Sequence, residues 1–336
     1  MAAPNNLILF HYPYSPYARR VVWYLALRGI EYAQCLQPPV MPRADLDALG
    51  VKYRRIPVMA IGRDVYCDTR LILRKLEERF PNGALGATGP EQKAIERLLE
   101  KWTIEGPVFS RAASLIPTSF PTMNDPTFMK DRTQWSGRPW DKAAMEKGRP
   151  ESIAYMKSAF DFLETTLLAD GRDWILKTDK PSLADIEGIW PFDWLVDMKG
   201  SLPPDVVSAQ QFPRVYSWVS RFRAAVKAGK AAVPKPVPLK GPEAVKLILE
   251  ADFAEPSSGV DANEPLGLTE GIEVEVYPTD SGFLNRDRGR LVTLTHNEVA
   301  VTSRSRDGGK EIRIHAPRTG FRVTTVEAKA AAGAKL

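Results

Sequence analysis

Four consecutive apolar residues, Leu7-Ile8-Leu9-Phe10, stand a few positions ahead of Ser15-Pro16, and from Pro16 to Arg28 the pattern changes to helical spacing through Val21, Val22, Leu25 and Ala26. A short unbroken apolar run reads as a strand covered on both faces, and Gly29 is a fitting stop for the helix behind it. Tyr32 to Leu36 reads as a second strand. Val58–Ile61 and Asp64–Cys67 flank a tight turn at Gly62-Arg63 and read as a hairpin. Thr69 to Phe80 returns to helix, with Ile72, Leu76 and Phe80 four apart on one face, before Pro81-Asn82-Gly83 breaks it. The order βαβ, then ββα, predicts a layered α/β domain over residues 1–85.

The remainder divides into three. Residues 90–230 show no convincing strand; Glu91–Lys101, Glu151–Leu168, Ser182–Met198 and Phe212–Ala228 carry helical periodicity, which predicts an all-α domain. Between them Ile116 to Pro150, rich in Pro, Thr and Trp, reads as an irregular excursion of the kind that often serves as a lid. Residues 231–270 read as a Pro-rich linker (AAVPKPVPLKGP), stiffened toward polyproline II, and a short helix from Glu243 to Ala254. Residues 271–328 hold five short β patterns, at Ile272–Tyr277, Leu291–Thr295, Val299–Ser303, Ile312–His315 and Phe321–Val326, separated by turns at 280–282, 307–309 and 318–320. Closely spaced strands of this kind predict a small, barrel-like all-β appendage.

Composition removes several classes. Of 336 residues, 44% are hydrophobic and 26% charged, as in soluble globular proteins. Two cysteines, Cys35 and Cys67, do not make a disulfide scaffold, and three scattered histidines do not make a histidine-based metal site. With no apolar membrane span and no signal-peptide pattern at MAAPNN, the chain reads as soluble and intracellular. The net charge of +5 equals the surplus of nine Lys/Arg over four acids between Asn285 and Arg322. These arginines alternate with Val, Leu and Ile, as on the solvent face of a half-buried sheet; an anion-binding surface is the competing reading. The aromatic interleaving of a single-strand nucleic-acid binder is missing.

Four local features carry chemistry. Ser15-Pro16 opens the first helix, where proline wastes no N–H and the helix terminus favours an anion. A hydroxyl there can donate to a thiolate. Lowering a thiol pKa by about two units needs roughly 2.7 kcal/mol. One charge-assisted hydrogen bond at ~1.5–3 kcal/mol plus a helix terminus at ~0.3–1 can supply it. Read alone, Ser15 is an ordinary N-cap. Ile56-Pro57 must begin or edge a strand, leaving backbone groups to take an extended peptide as an added strand. Asp68-Thr69 opens the next helix and can receive an ammonium and a carboxylate, the two ends of an amino-acid head group; an N-cap is the plainer reading. Ser182-Leu183-Ala184-Asp185 is a capping box with a structural role.

Together these segments resemble the cytosolic glutathione transferases over residues 1–230. SPYARRVVWYLALRGI is similar to the start of the serine-dependent tau-like and cysteine-dependent omega-like classes, YRRIPVM to the basic-basic-Ile-Pro-Val segment, CDTRLILRKLEERFP to the acidic-hydroxyl pair and third helix, and SLADI to the capping box. The resemblance implies a thioredoxin-like N-terminal domain, a helical C-terminal domain, glutathione as co-substrate with no metal, and a homodimer. It assigns Ser15 to the glutathione thiol, Arg55 to the glycyl carboxylate, Ile56 beside Pro57 to the cysteinyl backbone, and Asp68 with Thr69 to the γ-glutamyl head. A basic residue expected near Pro42 is displaced to Arg43, and Thr69 and Asp68 stand for the commoner serine and glutamate.

Serine in place of cysteine favours attack by glutathione over mixed-disulfide chemistry. The second substrate is then a small hydrophobic, aromatic electrophile between the domains, near Tyr12, Tyr14 and Tyr17, with Trp102, Phe109 and Trp194 on the α side. Tyr14 ranks below Ser15 as thiol activator, and Cys67 reads as an inert buried thiol. The competing readings are a non-catalytic binding or scaffold protein and a glutathione-dependent isomerase or lyase in secondary metabolism. The C-terminal region is similar to the β appendage of some fungal transferase-like proteins. Ala334-Lys335-Leu336 is similar to the peroxisomal small-basic-Leu address, set against a cytoplasmic default.

Overall fold

The computed structural model describes residues 2–326; Ala334-Lys335-Leu336 lies outside them. The first apolar run is β1 (Leu7–His11), buried at every position. It feeds α1 (Pro16–Arg28), which Gly29 ends at φ +67°, a conformation that strains other residues. β2 (Ala33–Leu36), α2 (Ala44–Ala48), β3 (Val58–Ile61), β4 (Asp64–Cys67) and α3 (Thr69–Arg79) follow. β2 lies parallel to β1, β3 antiparallel to it, and β4 closes the hairpin with β3. This is the thioredoxin-like order. Its hairpin turn needs glycine twice over: Gly62 has φ +56°, and a Cβ there would stand 2.2 Å from the Asp252 carbonyl oxygen.

The middle of the chain is helical, with α4 (Pro90–Ile104), α5 (Val108–Ala113), α6 (Pro126–Ser136), α7 (Lys142–Phe162), α8 (Leu183–Asp197) and α9 (Pro213–Ala231). The excursion expected to be irregular between Ile116 and Pro150 instead contains α6 and the first turns of α7. α6 has its own punctuation: Asp125 accepts the Thr127 N–H as N-cap, Pro126 takes the first position, and Gly137 closes it at φ +72°. Of its eleven residues only Asp131 is buried, so the apolar stripe that normally betrays a helix is missing. α7 runs through Pro150, because burial of Ser152, Met156, Ala159 and Phe160 behind the proline holds the helix together. The expected capping box is present at Ser182 and Asp185.

The Pro-rich stretch adds an edge strand. β5 (Val237–Pro238) lies parallel to β2, with Val237 N–H on the Tyr32 carbonyl (3.1 Å) and Leu239 N–H on that of Gln34 (2.9 Å). Pro238, which has no N–H, falls between these two donors, as an edge position allows. α10 (Gly241–Glu250) and β6 (Gly259–Val260) lead to β7 (Glu273–Pro278), β8 (Asp287–Leu294), β9 (Glu298–Arg304), β10 (Glu311–Pro317) and β11 (Phe321–Thr325), which match the five β patterns in position. These strands do not close on themselves. β10 lies parallel to β4, with Arg313 opposite Asp64 and His315 opposite Tyr66, so the added strands extend the thioredoxin-like sheet. The order is β11-β7-β8-β9-β10-β4-β3-β1-β2-β5, with β6 on β8. The exposed edge of β4 is thereby covered.

Alternation along β1 divides the interior. Leu7 and Leu9 join a core with α1, α3 and the helical domain. Ile8 and Phe10 join another with Leu46 of α2, Ile248 of α10 and Val274, Leu291 and Val301 of the added strands. The basic C-terminal segment is a sheet face: Arg286 pairs with Glu275 (2.9 Å), Arg288 of β8 with Glu273 of the neighbouring β7, and Arg290 of β8 with Glu311 of β10, across the intervening β9 (2.6 Å). Among the described residues no helix is long and apolar enough to cross a membrane.

Candidate functional site

Register brings the distant segments to one end of the sheet. Phe10 pairs with Val58, and Val58 with Cys67. The chain leaving β1 toward Ser15, the segment Ile56-Pro57 entering β3, and Asp68-Thr69 leaving β4 therefore share one edge. His315 pairs with Tyr66, and Phe321 with Pro278. The turns 318–320 and 279–282 of the added strands reach the same edge.

Ser15 has extended backbone (φ −68°, ψ 120°) and caps α1, its Oγ accepting the Ala18 N–H at 3.2 Å. The hydroxyl is buried and its proton is not spent in this bond, so cap and donor are compatible roles. Ile56-Pro57 is a cis peptide. Among the described residues the Ile56 N–H and C=O carry no hydrogen bond. They are the groups that an extended peptide would need.

Asp68 caps α3, accepting the Arg70 N–H (3.0 Å) and a two-point bond from the Arg70 guanidinium (3.0 Å at each oxygen). Burial works to raise its pKa, but Arg70 and then Arg55 overcome it and hold the carboxyl at about 2. Thr69 Oγ1 accepts from Arg20, whose other terminal nitrogen bonds Glu187 of α8. The Thr69 hydroxyl proton is thus left to donate to an incoming carboxylate. Arg20, fully buried and lying over the Trp190 ring at 5.7 Å, fastens α1, α3 and α8 together at this point. The sequence signal for Arg20 is a charge on the inward stripe of α1, four residues before Tyr24.

The arginines of the YRRIPVM segment are committed within the chain. Arg54 pairs with Asp131 of α6 (2.8 Å, both buried). Arg55 donates through Nε to the Ser281 carbonyl (3.0 Å) and bonds the Asp280 carboxylate, both on the β7–β8 loop. Arg43 is buried and spends its guanidinium on the carbonyls of Pro38 (3.1 Å) and Arg54. Asp287 of β8 accepts the Lys52 N–H (2.6 Å) just upstream, with burial pushing its carboxyl up to about 7 against that bond. The added strands and α6 therefore fasten the segment on which Arg55 and Ile56 stand.

On the helical side, Tyr17 meets Phe109 (4.8 Å, edge-on) and Trp190 (4.6 Å), and Phe109 stacks on Trp194 (5.9 Å). Trp102 instead sets its ring against those of Phe162 and Phe192. Trp190, fully buried, takes the central place. Tyr12 and Tyr14 pair with each other (4.8 Å), and Tyr14 is exposed. Burial, then Tyr12, raises the Tyr14 pKa, which leaves its phenol protonated. Cys67 is buried and its thiol is pushed up by burial and by Asp287 and Asp68.

Comparison with known proteins agrees with this architecture. Residues 9–87 match the family model "Glutathione S-transferase, N-terminal domain", and residues 111–231 match a domain of unknown function, DUF7962. A probable glutathione S-transferase of Nicotiana tabacum is 20% identical over 222 residues, 66% of this chain and 86% of that protein. A crystal structure of a GST-like protein from Pseudomonas syringae superimposes with a TM-score of 0.69 at 24% identity, covering 96% of this chain and 99% of that one. The likeness therefore reaches into the C-terminal strands, and there it is to a bacterial protein. The β-etherase LigF of Sphingobium sp. strain SYK-6 aligns with a TM-score of 0.51 at 18% identity over 68% of this chain and 99% of that one. Residues 9–87 are thus similar to a glutathione S-transferase N-terminal domain, in a chain that has the glutathione S-transferase fold followed by further strands, β5 to β11 among the described residues, that extend its sheet.

Proposed function

We propose that this protein binds glutathione along the edge of its sheet and uses the Ser15 hydroxyl and the N-terminus of α1 to hold the thiol as thiolate for attack on a hydrophobic electrophile. The observation that carries the reading is the convergence, by register, of a buried N-cap hydroxyl, the unbonded backbone of Ile56 and the Asp68-Thr69 helix start on one edge. Ile56 beside Pro57 takes the cysteinyl backbone, Asp68 and Thr69 the γ-glutamyl head, and Arg55 the glycyl carboxylate. The thiolate, once formed, displaces a leaving group from, or adds to, an electrophilic carbon. The cluster of Tyr17, Phe109 and Trp194 supports an aromatic second substrate.

Ultraviolet titration of bound glutathione against pH tests this. The expected result is a thiol pKa well below that of free glutathione, returning upward in the Ser15→Ala protein. Binding without a shift would favour a second reading, a transferase-like protein that holds the tripeptide without activating it. The bond that Ser15 Oγ accepts from the Ala18 N–H speaks for that reading, since a helix cap needs no thiolate partner. No binding would overturn both.

A further inference from the structure

Asp280 and Arg55 lie 225 positions apart in the chain, yet their side chains form an ion pair at the edge where the thiol peptide is proposed to bind. The loop that brings Asp280 there is fastened at several points. Thr279 N–H bonds the Gly320 carbonyl (3.0 Å), Gly282 N–H the Trp135 carbonyl (2.7 Å), and Arg55 donates to Ser281 O through Nε (3.0 Å) and Nη2 (2.6 Å). Gly282 has φ +70°, and a Cβ there would stand 3.0 Å from Arg54 Cγ and 3.9 Å from Arg55 Cγ, so the loop lies directly on the two arginine stems. The phenol of Tyr17, in the first turn of α1, lies within the field of Arg55, Asp68, Arg20 and Asp280 together, which places Asp280 among the site's own charges.

These contacts change what Arg55 can offer a ligand. Its charge is already opposed by a carboxylate. A second carboxylate arriving at the same guanidinium must share it with Asp280 or displace it, and like charges brought together oppose binding. The Asp280 side chain is 67% exposed and that of Arg55 17% exposed. The acid therefore sits at the rim, where it competes for the arginine without plugging the site. Arg70 offers no free cation for a second carboxylate, since Asp68 accepts two bonds from its guanidinium.

We propose that Asp280 is a specificity-determining residue: it holds the place on Arg55 that the glycyl carboxylate of glutathione would take, so that the site accepts γ-glutamyl-cysteinyl-glycine thiols whose C-terminal carboxyl is neutral, as an amide or ester, at least as well as glutathione itself. This rests on the reading of Ser15, Ile56, Asp68 and Thr69 as a glutathione site. It assigns the added strands a direct part in ligand choice.

The test is calorimetric titration of the full chain with reduced glutathione and with its glycyl monoethyl ester, in the wild type and in the Asp280→Asn protein. Asp280 is exposed, so the substitution leaves the fold in place, and a thermal melt checks this. The expected result is that the wild type binds the two thiols with affinities within about threefold, while Asp280→Asn tightens glutathione by about tenfold and leaves the ester unchanged, the size of effect that freeing one charge partner commonly has. Glutathione binding the wild type ten or more times tighter than the ester, or an ester-to-glutathione ratio that Asp280→Asn does not move, would overturn the proposal while leaving the glutathione site standing. If neither thiol binds either protein, the site assignment itself falls and the proposal falls with it.

Discussion

His315 of β10 lies with Nε2 2.8 Å from Asp64 Oδ1 of β4, across the junction between the thioredoxin-like strands and the added ones. Its Nδ1 lies 2.5 Å from Glu298 Oε1 of β9. Carboxylates accept only, so both ring nitrogens carry protons and the buried ring is an imidazolium. Around it stand Arg313 against Asp64 (2.8 Å), Lys75 of α3 on Glu255 and Glu298 (2.8 Å each), and the Tyr66 ring at 4.6 Å. Glu255, Glu298 and His315 bring ligand atoms within 4.8 Å of one another, but Lys75 already supplies the cation between the two glutamates.

Burial lowers the His315 pKa, yet the bonds to Asp64 and Glu298 win and raise it above 6.5; burial raises Glu298, yet His315 and Lys75 win and bring it below 4.5. The histidine's contribution is complete below 6.5 and is lost as pH climbs through its raised folded value. The glutamate's is complete above 4.5 and is lost as pH falls through its lowered one. Stability against denaturant is therefore expected to decline from about pH 6.5 upward in the wild type. The His315→Gln protein should be less stable at pH 6 by roughly 3–5 kcal/mol, the cost of breaking a buried ion pair, with a flatter slope above it. Parallel slopes from pH 6 to 9 would mean that the ring is neutral in the folded protein.

The attachment of α6 to the thioredoxin-like domain hangs on Asp131. Its Oδ1 accepts the Met41 N–H (2.9 Å) and Arg54 (2.8 Å), and burial, which would raise its pKa, is overcome by these bonds and by Arg132. Asp131→Ala would leave the Arg54 guanidinium buried without a counter-ion, at a cost of about 3–5 kcal/mol. Because Trp135 of α6 also receives the Gly282 N–H, hydrogen exchange should rise both over 126–136 and over 279–283. Faster exchange confined to α6 would show that the β7–β8 loop is held by Arg55 alone.

Local pattern was enough for much of this molecule. The apolar run at Leu7–Phe10, the Ser15-Pro16 start with its Gly29 stop, and the five alternating C-terminal stretches each carry their own signal. Asp280 was legible only as a turn residue, because nothing near it records that the turn docks on Arg55, and α6 escaped because ten of its eleven residues remain at least partly accessible. The joining of β10 to β4 was hidden for the same reason: pairing between strands some 250 positions apart is set by tertiary packing.

The two cysteines give an inexpensive check on the site. Both are buried. Burial, with Asp45 and its hydrogen bond adding to it, pushes Cys35 up to about 12, and Cys67 is pushed well above its ordinary range. A disulfide reagent at pH 8 should label neither in the folded protein and both after denaturation. The Cys67→Ser protein should keep any glutathione-dependent activity, and loss of that activity would move the chemistry from Ser15 to Cys67.

Ser15 does two things that separate substitutions can tell apart. As N-cap it accepts the Ala18 N–H at 3.2 Å, and as a buried hydroxyl at a helix terminus it is placed to donate to a thiolate. Ser15→Ala and Ser15→Gly both remove the hydroxyl, and the extended backbone at this position admits either residue. Glycine is the better cap, so Ala should cost about 1 kcal/mol of stability and Gly only a few tenths. If the hydroxyl stabilises the thiolate, both substitutions should lower the rate of thiol attack at neutral pH equally, by roughly 10–100-fold, the worth of one charge-assisted hydrogen bond. Unfolding curves beside rates with a model aromatic electrophile decide it. A rate loss that tracks stability, large in the Ala protein and small in the Gly protein, would reduce Ser15 to a cap and leave thiol activation to the backbone N–H groups of α1.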